Sequence, residues 1–210
     1  PPADAIASMG DKISSRLLMA AAGVPVSPGS GEPLADVAAA VAEAERIGYP
    51  VVTKPLDVSH GRGVSLNLQD AEQVRWGFEQ AAQYRSSVLV EGYLTGKDYR
   101  VLVINDQVVA VAERVPAHVV GDGQHTIAEL VETTNRDPRR GIGHEKVLTR
   151  IAVDDAVRDL LAKSGLSLDA VPEEGRFVQL RLTGNMSTGG ISIDRTDEIH
   201  PDNVEIAEQA

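Results

Sequence analysis

The sequence contains no cysteine, few aromatic residues and no long apolar run. The lack of cysteine excludes disulfides, thiolate catalysis and cysteine-ligated zinc or iron–sulfur sites. With aromatic residues at 3%, the core has to be built from Val, Ile, Leu and Ala. No apolar run approaches the roughly 20 residues that cross a bilayer, and no signal peptide is visible at the start, so we expect a cytoplasmic protein.

Positive charge is also scarce. Twenty basic residues stand against 31 acidic ones, which gives a net charge of −11. This balance disfavours nucleic-acid binding through a general basic surface. The basic residues do cluster locally, however, first at Lys54 and Arg62 and then at Arg136, Arg139 and Arg140. A local cationic pocket in an acidic chain predicts a small anionic ligand.

Helices and strands alternate along the chain, with hairpins among them, which predicts an α+β fold. Apolar spacings of three and four residues, with an aspartate before several of the runs, mark the helices. We expect residues 115–146 to be polar and irregular, with one short helix. Helices are predicted over 12–22, 34–47, 126–134, 154–163 and 202–210 and from Asp70, and strands over 49–55, 87–91, 98–104, 108–114 and 176–181 and from Val64.

The stretch from Tyr49 to Val64 carries the clearest signal for chemistry. A strand delivers Lys54, and a lysine fixed on a strand can bind phosphate oxygens as a point charge. The following Gly61-Arg62-Gly63 turn can bring backbone N–H groups close to the same oxygens. The alternative is an ordinary hairpin with a solvated tip.

The order of further motifs resembles the ATP-grasp enzymes. Lys12 after Met9-Gly10-Asp11, the lysine strand, the glycine loop, the stretch from Val88 to Tyr93, and Asp98 follow one another as in that superfamily. The resemblance implies an ATP-grasp fold and an enzyme that activates a carboxylate with ATP as an acyl phosphate, which an amine then attacks.

Three downstream stretches, 119–127, 135–144 and 185–190, are similar to the ATP-grasp domain of the cyanophycin synthetase family. The last of them is also similar to bifunctional glutathione synthetases, and residues 1–12 look more like the start of the ATP-binding region of biotin carboxylases. The sequence departs from the pattern at Val58-Ser59, where a Gly-Asn pair is expected.

The resemblance implies roles for individual residues. The paired lysines and the loop would bind the ATP phosphates, a hinge formed by Val90-Glu91-Gly92-Tyr93 would lie beside adenine, and Asp98 would bind the ribose. Arg181 would neutralise the γ-phosphate or the acyl phosphate, and the polar turn after it would receive the carboxylate. The implied ATP-binding residues are Lys12, Lys54, His60, Gly61, Arg62, Gly63, Val64, Glu91, Gly92, Tyr93 and Asp98, the catalytic residues are Arg181, Asn185 and Ser187, and the substrate-binding residues are Arg100, Arg139, Arg140, His144, Thr188 and Gly189.

The implied reaction extends a growing aspartate–arginine polymer: its terminal carboxylate becomes an acyl phosphate that the amine of aspartate attacks. ATP and Mg²⁺ are the implied cofactors, and the whole enzyme is expected to be a homo-oligomer. The usual magnesium ligands, acidic residues and an asparagine on late strands, would lie beyond Ala210, so we expect an ATP-grasp fold truncated before its last strands. We expect a helical lead-in over 1–50, a small subdomain with the phosphate loop over 51–97 and an incomplete C-terminal subdomain over 98–210.

Two alternatives remain open. One is an ATP-grasp fragment of the carboxylase or glutathione synthetase type. The other is a module that binds a nucleotide without catalysis, which the expected absence of the late magnesium ligands favours.

Overall fold

The computed structural model describes residues 10–58, 62–143 and 145–210. The chain divides into two compact units, with the boundary between Gly96 and Lys97 and with residues 209–210 belonging to the first unit. Each unit mixes helices with antiparallel sheet, so the α+β prediction is confirmed. No helix in the described part of the chain combines the length and the apolar character that crossing a bilayer requires. The three-part division at residues 50 and 97 stays a prediction.

The first unit is a small sheet covered on one face by two helices. Its sheet has the order β2-β1-β3, and both neighbours of β1 are antiparallel to it. Helices α2 and α3 pack on the face that presents Val51, Val88 and Val90. The elements are α1 (Lys12–Ala21), α2 (Val37–Ile47), β1 (Val51–Pro55), β2 (Ser65–Leu68), α3 (Ala71–Ala82) and β3 (Val88–Gly92).

Aspartate side chains begin the helices of this unit. Asp11, Asp36 and Asp70 each accept a hydrogen bond from the backbone N–H three residues later, which satisfies a donor that the first turn leaves free. The cap at Asp36 also explains why α2 begins at Val37 and not at the predicted residue 34. Leu34 instead pairs with Val88 as an isolated bridge beside β3.

The second unit contains a three-stranded sheet of order β10-β5-β4 and a separate apolar core. The β4–β5 hairpin turns at Asn105 and Asp106, whose φ angles of 49° and 59° are typical of a type I′ turn. The elements are β4 (Asp98–Ile104), β5 (Gln107–Val115), β6 (His118–Val120), α4 (Ile127–Asn135), β7 (Arg140–Gly141), β8 (Leu148–Thr149), α5 (Asp155–Lys163), β9 (Phe177–Gln179), a 3₁₀ turn (Met186–Thr188), β10 (Ile191–Asp194) and α6 (Pro201–Gln209).

The strand prediction for this unit was incomplete. The middle of the chain is not wholly irregular, because β6 pairs antiparallel with β9. The predicted strand over 176–181 is shorter, at Phe177–Gln179, and β7, β8 and β10 were not predicted. Strands of three or four residues carry too little period-two alternation to be recognised locally, since their partners supply the stabilisation.

Helix α3 lies very close to the sheet at Gly77. A Cβ at this position would lie 2.5 Å from Thr53 Oγ1 and 2.8 Å from Leu68 Cδ1. Alanine normally stabilises a helix by about 1 kcal/mol relative to glycine, but overpacking of this kind costs about 1–3 kcal/mol. We expect Gly77→Ala to lower the chain's free energy of unfolding by about 1 kcal/mol in urea denaturation.

Two comparisons make this test specific. Gly31→Ala is the control, because a Cβ there meets no atom within 4 Å. Thr53→Ala removes the nearest obstacle, so the double variant should recover part of the loss in a double-mutant cycle. A Gly77→Ala protein as stable as the parent would show that α3 is not packed against β1 at this distance.

Candidate functional site

One face of the first sheet carries the charged residues that the sequence singled out. In the β1–β3 ladder Val52 pairs with Glu91 and Lys54 pairs with Leu89. Side chains two residues apart on a strand share a face. Lys54 and Glu91 are therefore diagonal neighbours on the face opposite to the core that α2 and α3 cover.

Glu91 forms ion pairs with two cations through its two carboxylate oxygens. Lys54 Nζ lies 2.6 Å from Oε2, and Arg16 Nη1 lies 3.3 Å from Oε1. The three side chains are largely buried, with 22% of Lys54, 17% of Glu91 and 11% of Arg16 exposed. Because solvent screens partly buried pairs weakly, these contacts are stronger than ion pairs on an open surface.

Helix α1 brings a third cation to the end of β1. Asp11 caps this helix through a 2.7 Å hydrogen bond from the Ser14 N–H. Lys12 donates from Nζ to the carbonyl of Leu56 and, at 3.4 Å, to that of Val58. Arg16, one turn further along the same helix face, donates to the Ser30 carbonyl as well as to Glu91.

This cluster, defined as Lys12, Arg16, Lys54 and Glu91, carries three positive charges and one negative charge. A partly buried excess of positive charge favours an anion with several negative oxygens, such as a polyphosphate. The residues present therefore fit the phosphates of ATP.

The predicted phosphate loop is only partly described. Gly63 has a φ of 70°, in the left-handed region that favours glycine, and a Cβ there would lie 2.7 Å from Tyr84 Cδ2. Arg62 is exposed, and Val64 leads into β2. His60 and Gly61 lie outside the described residues.

The predicted hinge has its backbone engaged within the first unit. The Gly92 N–H donates to the Pro28 carbonyl at 2.8 Å, and the Gly92 carbonyl accepts from Ser27 Oγ at 2.9 Å. The Tyr93 N–H donates to the Pro50 carbonyl at 3.0 Å. These contacts fix the position of the predicted hinge within the first unit.

In the second unit Arg181 is bound by a carboxylate. Its Nη2 lies 2.7 Å from Asp154 Oδ2 and 3.2 Å from the Ala152 carbonyl. The hydrogen bond from Arg181 holds the pKa of Asp154 below its ordinary value of 3.8. Arg181 Nε is buried and has no hydrogen-bond partner among the described residues.

Two arginines hold the polar turn that follows Arg181. Arg114 donates from Nε to the Gly184 carbonyl at 3.1 Å and from Nη2 to Asn185 Oδ1 at 2.6 Å. Arg140 donates from Nη1 to the Gly189 carbonyl at 3.0 Å. The turn is thus fixed at both ends.

The remaining predicted residues of this unit are more dispersed. Asp98 is exposed and lies 3.9 Å from Arg114, and Arg100 is exposed on the same strand. Arg139 is exposed and pairs with Asp137 at 2.7 Å. Ser187 is exposed, while the Thr188 hydroxyl donates to the Asn185 carbonyl. His144 lies outside the described residues.

The sequence did not single out Arg16, Arg114 or Asp154, although each contacts a predicted site residue. Arg16 could have been found, because it follows Lys12 by four residues on a predicted helix and so shares its face. The Arg114–Asn185 and Arg181–Asp154 contacts join residues that are 71 and 27 positions apart. No local sequence pattern indicates contacts over such separations.

A magnesium site is not assigned. Among residues 10–58, 62–143 and 145–210 no group of three or more His, Asp or Glu side chains could hold a metal ion. Two carboxylates at the predicted site residues, Glu91 and Asp154, each pair with arginine or lysine. The described residues thus do not fit the metal.

The fold and the cluster of Lys12, Arg16, Lys54 and Glu91 together define an ATP-binding domain of the ATP-grasp class. The chain belongs to the family of the carbamoyl-phosphate synthase L chain, ATP binding domain, whose sequence model matches residues 11–164. The ATP-grasp fold prediction is confirmed by this match and by the solved relative described next.

The chain spans about a fifth of the length of the curated relatives that it matches. The chain is 48% identical over 201 residues to cyanophycin synthetase of Trichormus variabilis, covering 95% of the chain and 22% of that protein. It is 42% identical over 163 residues to the glutathione biosynthesis bifunctional protein of Mannheimia succiniciproducens, covering 76% of the chain and 22% of that protein. The crystal structure of a bifunctional glutathione synthetase from Pasteurella multocida matches with a TM-score of 0.59 and 35% identity, over 94% of the chain and 27% of that protein.

The pairing of Arg181 with Asp154 predicts a pH dependence. Because Asp154 has a lowered pKa in the folded chain, the pair stabilises the fold above pH 3.8, and this contribution is lost as the pH falls through the folded pKa. We expect Arg181→Gln to raise the Asp154 pKa towards 3.8, as followed by carboxyl-carbon NMR. The difference in unfolding free energy between the parent and Arg181→Gln should be largest above pH 4, within the range of about 0–1 kcal/mol of an exposed ion pair.

Arg176→Gln is the matched control, since Arg176 is exposed and also lies in the second unit. The control should leave the Asp154 resonance and its titration unchanged. An Asp154 pKa that is the same in Arg181→Gln as in the parent would contradict the assignment of the shift to this hydrogen bond.

Proposed function

We propose that the chain is the ATP-binding part of a carboxylate–amine ligase of the cyanophycin synthetase type. The observation that carries the proposal is the cluster of Lys12, Arg16, Lys54 and Glu91, an excess of partly buried positive charge on the strand and helix where ATP-grasp domains are expected to bind phosphates. The similarity to cyanophycin synthetases over 95% of the chain supports the choice of reaction.

The proposed reaction has two steps. A terminal carboxylate oxygen of an aspartate–arginine polymer attacks the γ-phosphorus of ATP, and ADP leaves. The amine of aspartate then attacks the acyl carbon, inorganic phosphate leaves, and the amine loses a proton as the amide forms. Both steps need positioning and charge neutralisation and no covalent enzyme nucleophile.

The proposed roles of individual residues are those that the family resemblance implies. Lys12 and Lys54 bind phosphate oxygens, and Arg62 and Gly63 approach them from the loop. Arg181 neutralises the transferred phosphoryl group with the positive charge of its guanidinium. The turn at Asn185, Ser187 and Thr188 receives the carboxylate, and Asp98 binds the ribose hydroxyls.

A second candidate function is nucleotide binding without ligation. The observation that favours it is the lack of a metal-binding group of acids among the described residues. Magnesium normally accompanies phosphoryl transfer because it neutralises charge on the phosphates. The two candidates agree on ATP binding and differ on turnover.

The binding step is tested at Lys54. We expect Lys54→Met to weaken ATP binding by at least tenfold in calorimetric titration, because the substitution removes a phosphate-facing charge while retaining an apolar stem. Lys163→Met, at the exposed end of α5, is the matched control and should bind ATP as the parent does. Equal ATP affinity in the parent and in Lys54→Met would overturn the placement of the phosphates.

The ligation step is tested with isotope-labelled aspartate. With ATP, Mg²⁺ and a short aspartate–arginine primer, we expect label to enter the primer and ADP to be released in equal amounts. Omitting either the primer or aspartate should suppress incorporation. If the chain binds ATP in the calorimetric titration but incorporates no label, the ligation proposal is wrong for this chain and the second candidate is supported.

A further inference from the structure

Arg181 has a long side chain, and its charged end can act on a phosphoryl group only when it is held in place. A free arginine side chain populates many rotamers, which contacts have to restrict. The backbone around it is fixed within the second unit. The Leu180 N–H donates to the Ala117 carbonyl at 2.7 Å, and Gln179 Nε2 donates to the Arg181 carbonyl at 2.6 Å. The orientation of the guanidinium depends on its own contacts.

The guanidinium contacts the segment that leads into α5. Arg181 Nη2 donates to Asp154 Oδ2 at 2.7 Å and to the Ala152 carbonyl at 3.2 Å. Only 15% of the arginine side chain is exposed, against 53% of the aspartate side chain. Among the described residues no other carboxylate forms a salt bridge with Arg181. The charged contact that orients this arginine is therefore the one with Asp154.

Asp154 is itself fixed by the chain on both sides of it. Its other oxygen, Oδ1, accepts from the Val157 N–H at 3.2 Å and caps α5. Three residues before Asp154, the Asn135 side chain binds the backbone of the buried Ile151 twice: Nδ2 donates to the carbonyl at 2.9 Å, and Oδ1 accepts from the N–H at 2.8 Å. One carboxylate thus connects the guanidinium of Arg181 with the first turn of α5.

The ion pair contributes more to geometry than to stability. The hydrogen bond from Arg181 holds the pKa of Asp154 below its ordinary value of 3.8, so the acid is charged at neutral pH. Because solvent screens a half-exposed acid, such a pair adds little to the free energy of unfolding. A charge-assisted hydrogen bond of 2.7 Å nevertheless selects one orientation of the guanidinium.

We infer that Asp154 is a positioning residue, which holds the guanidinium of Arg181 in the orientation in which it meets the transferred phosphoryl group. The inference rests on the proposed function, since that function assigns Arg181 to the phosphoryl group. It adds a role for Asp154, which the sequence had not singled out. It also makes the first turn of α5 part of the support of the site.

The test compares the affinities for ATP and for ADP, which differ by the γ-phosphate. Both are measured by calorimetric titration of the whole 210-residue chain without Mg²⁺, so that binding is separated from turnover. We expect Asp154→Asn to reduce the preference for ATP over ADP by about tenfold, the worth of a charge-assisted hydrogen bond, while ADP affinity stays unchanged. Asparagine retains the cap of α5 but removes the charge that pairs with the arginine.

Asp159→Asn is the matched control, because Asp159 is exposed on the same helix and loses the same charge. It should keep the preference of the parent, and Arg181→Gln should lose it. A parental preference in Asp154→Asn together with a lost one in Arg181→Gln would overturn the inference and leave the proposed role of Arg181 intact. A parental preference in Arg181→Gln would reject that role, and the inference with it.

A measurement on the unaltered chain covers the case in which Asp154→Asn does not fold. The carboxyl-carbon resonances of the aspartates are followed by NMR as ATP or ADP is added. We expect ATP to shift the Asp154 resonance, because an anion at the guanidinium changes the electrostatic environment of the paired carboxylate. ADP should leave it in place, and Asp159 should respond to neither nucleotide. An Asp154 resonance that stays in place at saturating ATP would contradict the positioning role without any substitution.

Discussion

The first unit depends on the carboxylate of Glu91. Helix α1, whose ten residues are all described, buries Ile13 alone, so apolar packing contributes little to its attachment. The Arg16–Glu91 pair and the bonds from Lys12 to the end of β1 hold the helix instead. Since the same carboxylate also binds Lys54, one buried acid sets the position of two cations. The cationic cluster is therefore also the joint between a helix and a strand.

The second unit fixes its polar turn differently. Arg114 and Arg140 donate to backbone carbonyls of the turn. Arg181, which precedes the turn, donates to the Ala152 carbonyl and forms a close ion pair with Asp154. Hydrogen bonds from charged donors are stronger than neutral ones, and they satisfy carbonyls that a tight turn leaves free. The positive charge of these groups is not consumed by such bonds. The turn is thus rigid and remains electropositive, a combination that suits a site for an anionic group.

Local physics made much of this architecture predictable. The aspartate caps at Asp11, Asp70 and Asp154 and the hairpin at Asn105 act over three or four residues, so the sequence displays them directly. The family resemblance supplied the fold and the lysine strand. The Arg16–Glu91 contact spans 75 residues and the β6–β9 pairing is set by a distant partner. Tertiary packing decides such contacts, and a periodic pattern does not record them.

The geometry of Glu91 has a consequence for how a polyphosphate would bind. Lys54 cannot give its full charge to a phosphate while it remains 2.6 Å from a carboxylate. A ligand that takes Lys54 would leave Glu91 buried and unpaired, which is costly for an isolated charge. Arg16 removes most of that cost, because it stays bonded to the other oxygen of the same carboxylate. With Arg16 still bound to Glu91, Lys54 could leave the Glu91 carboxylate and bind a phosphate, and Glu91 would keep one positively charged partner.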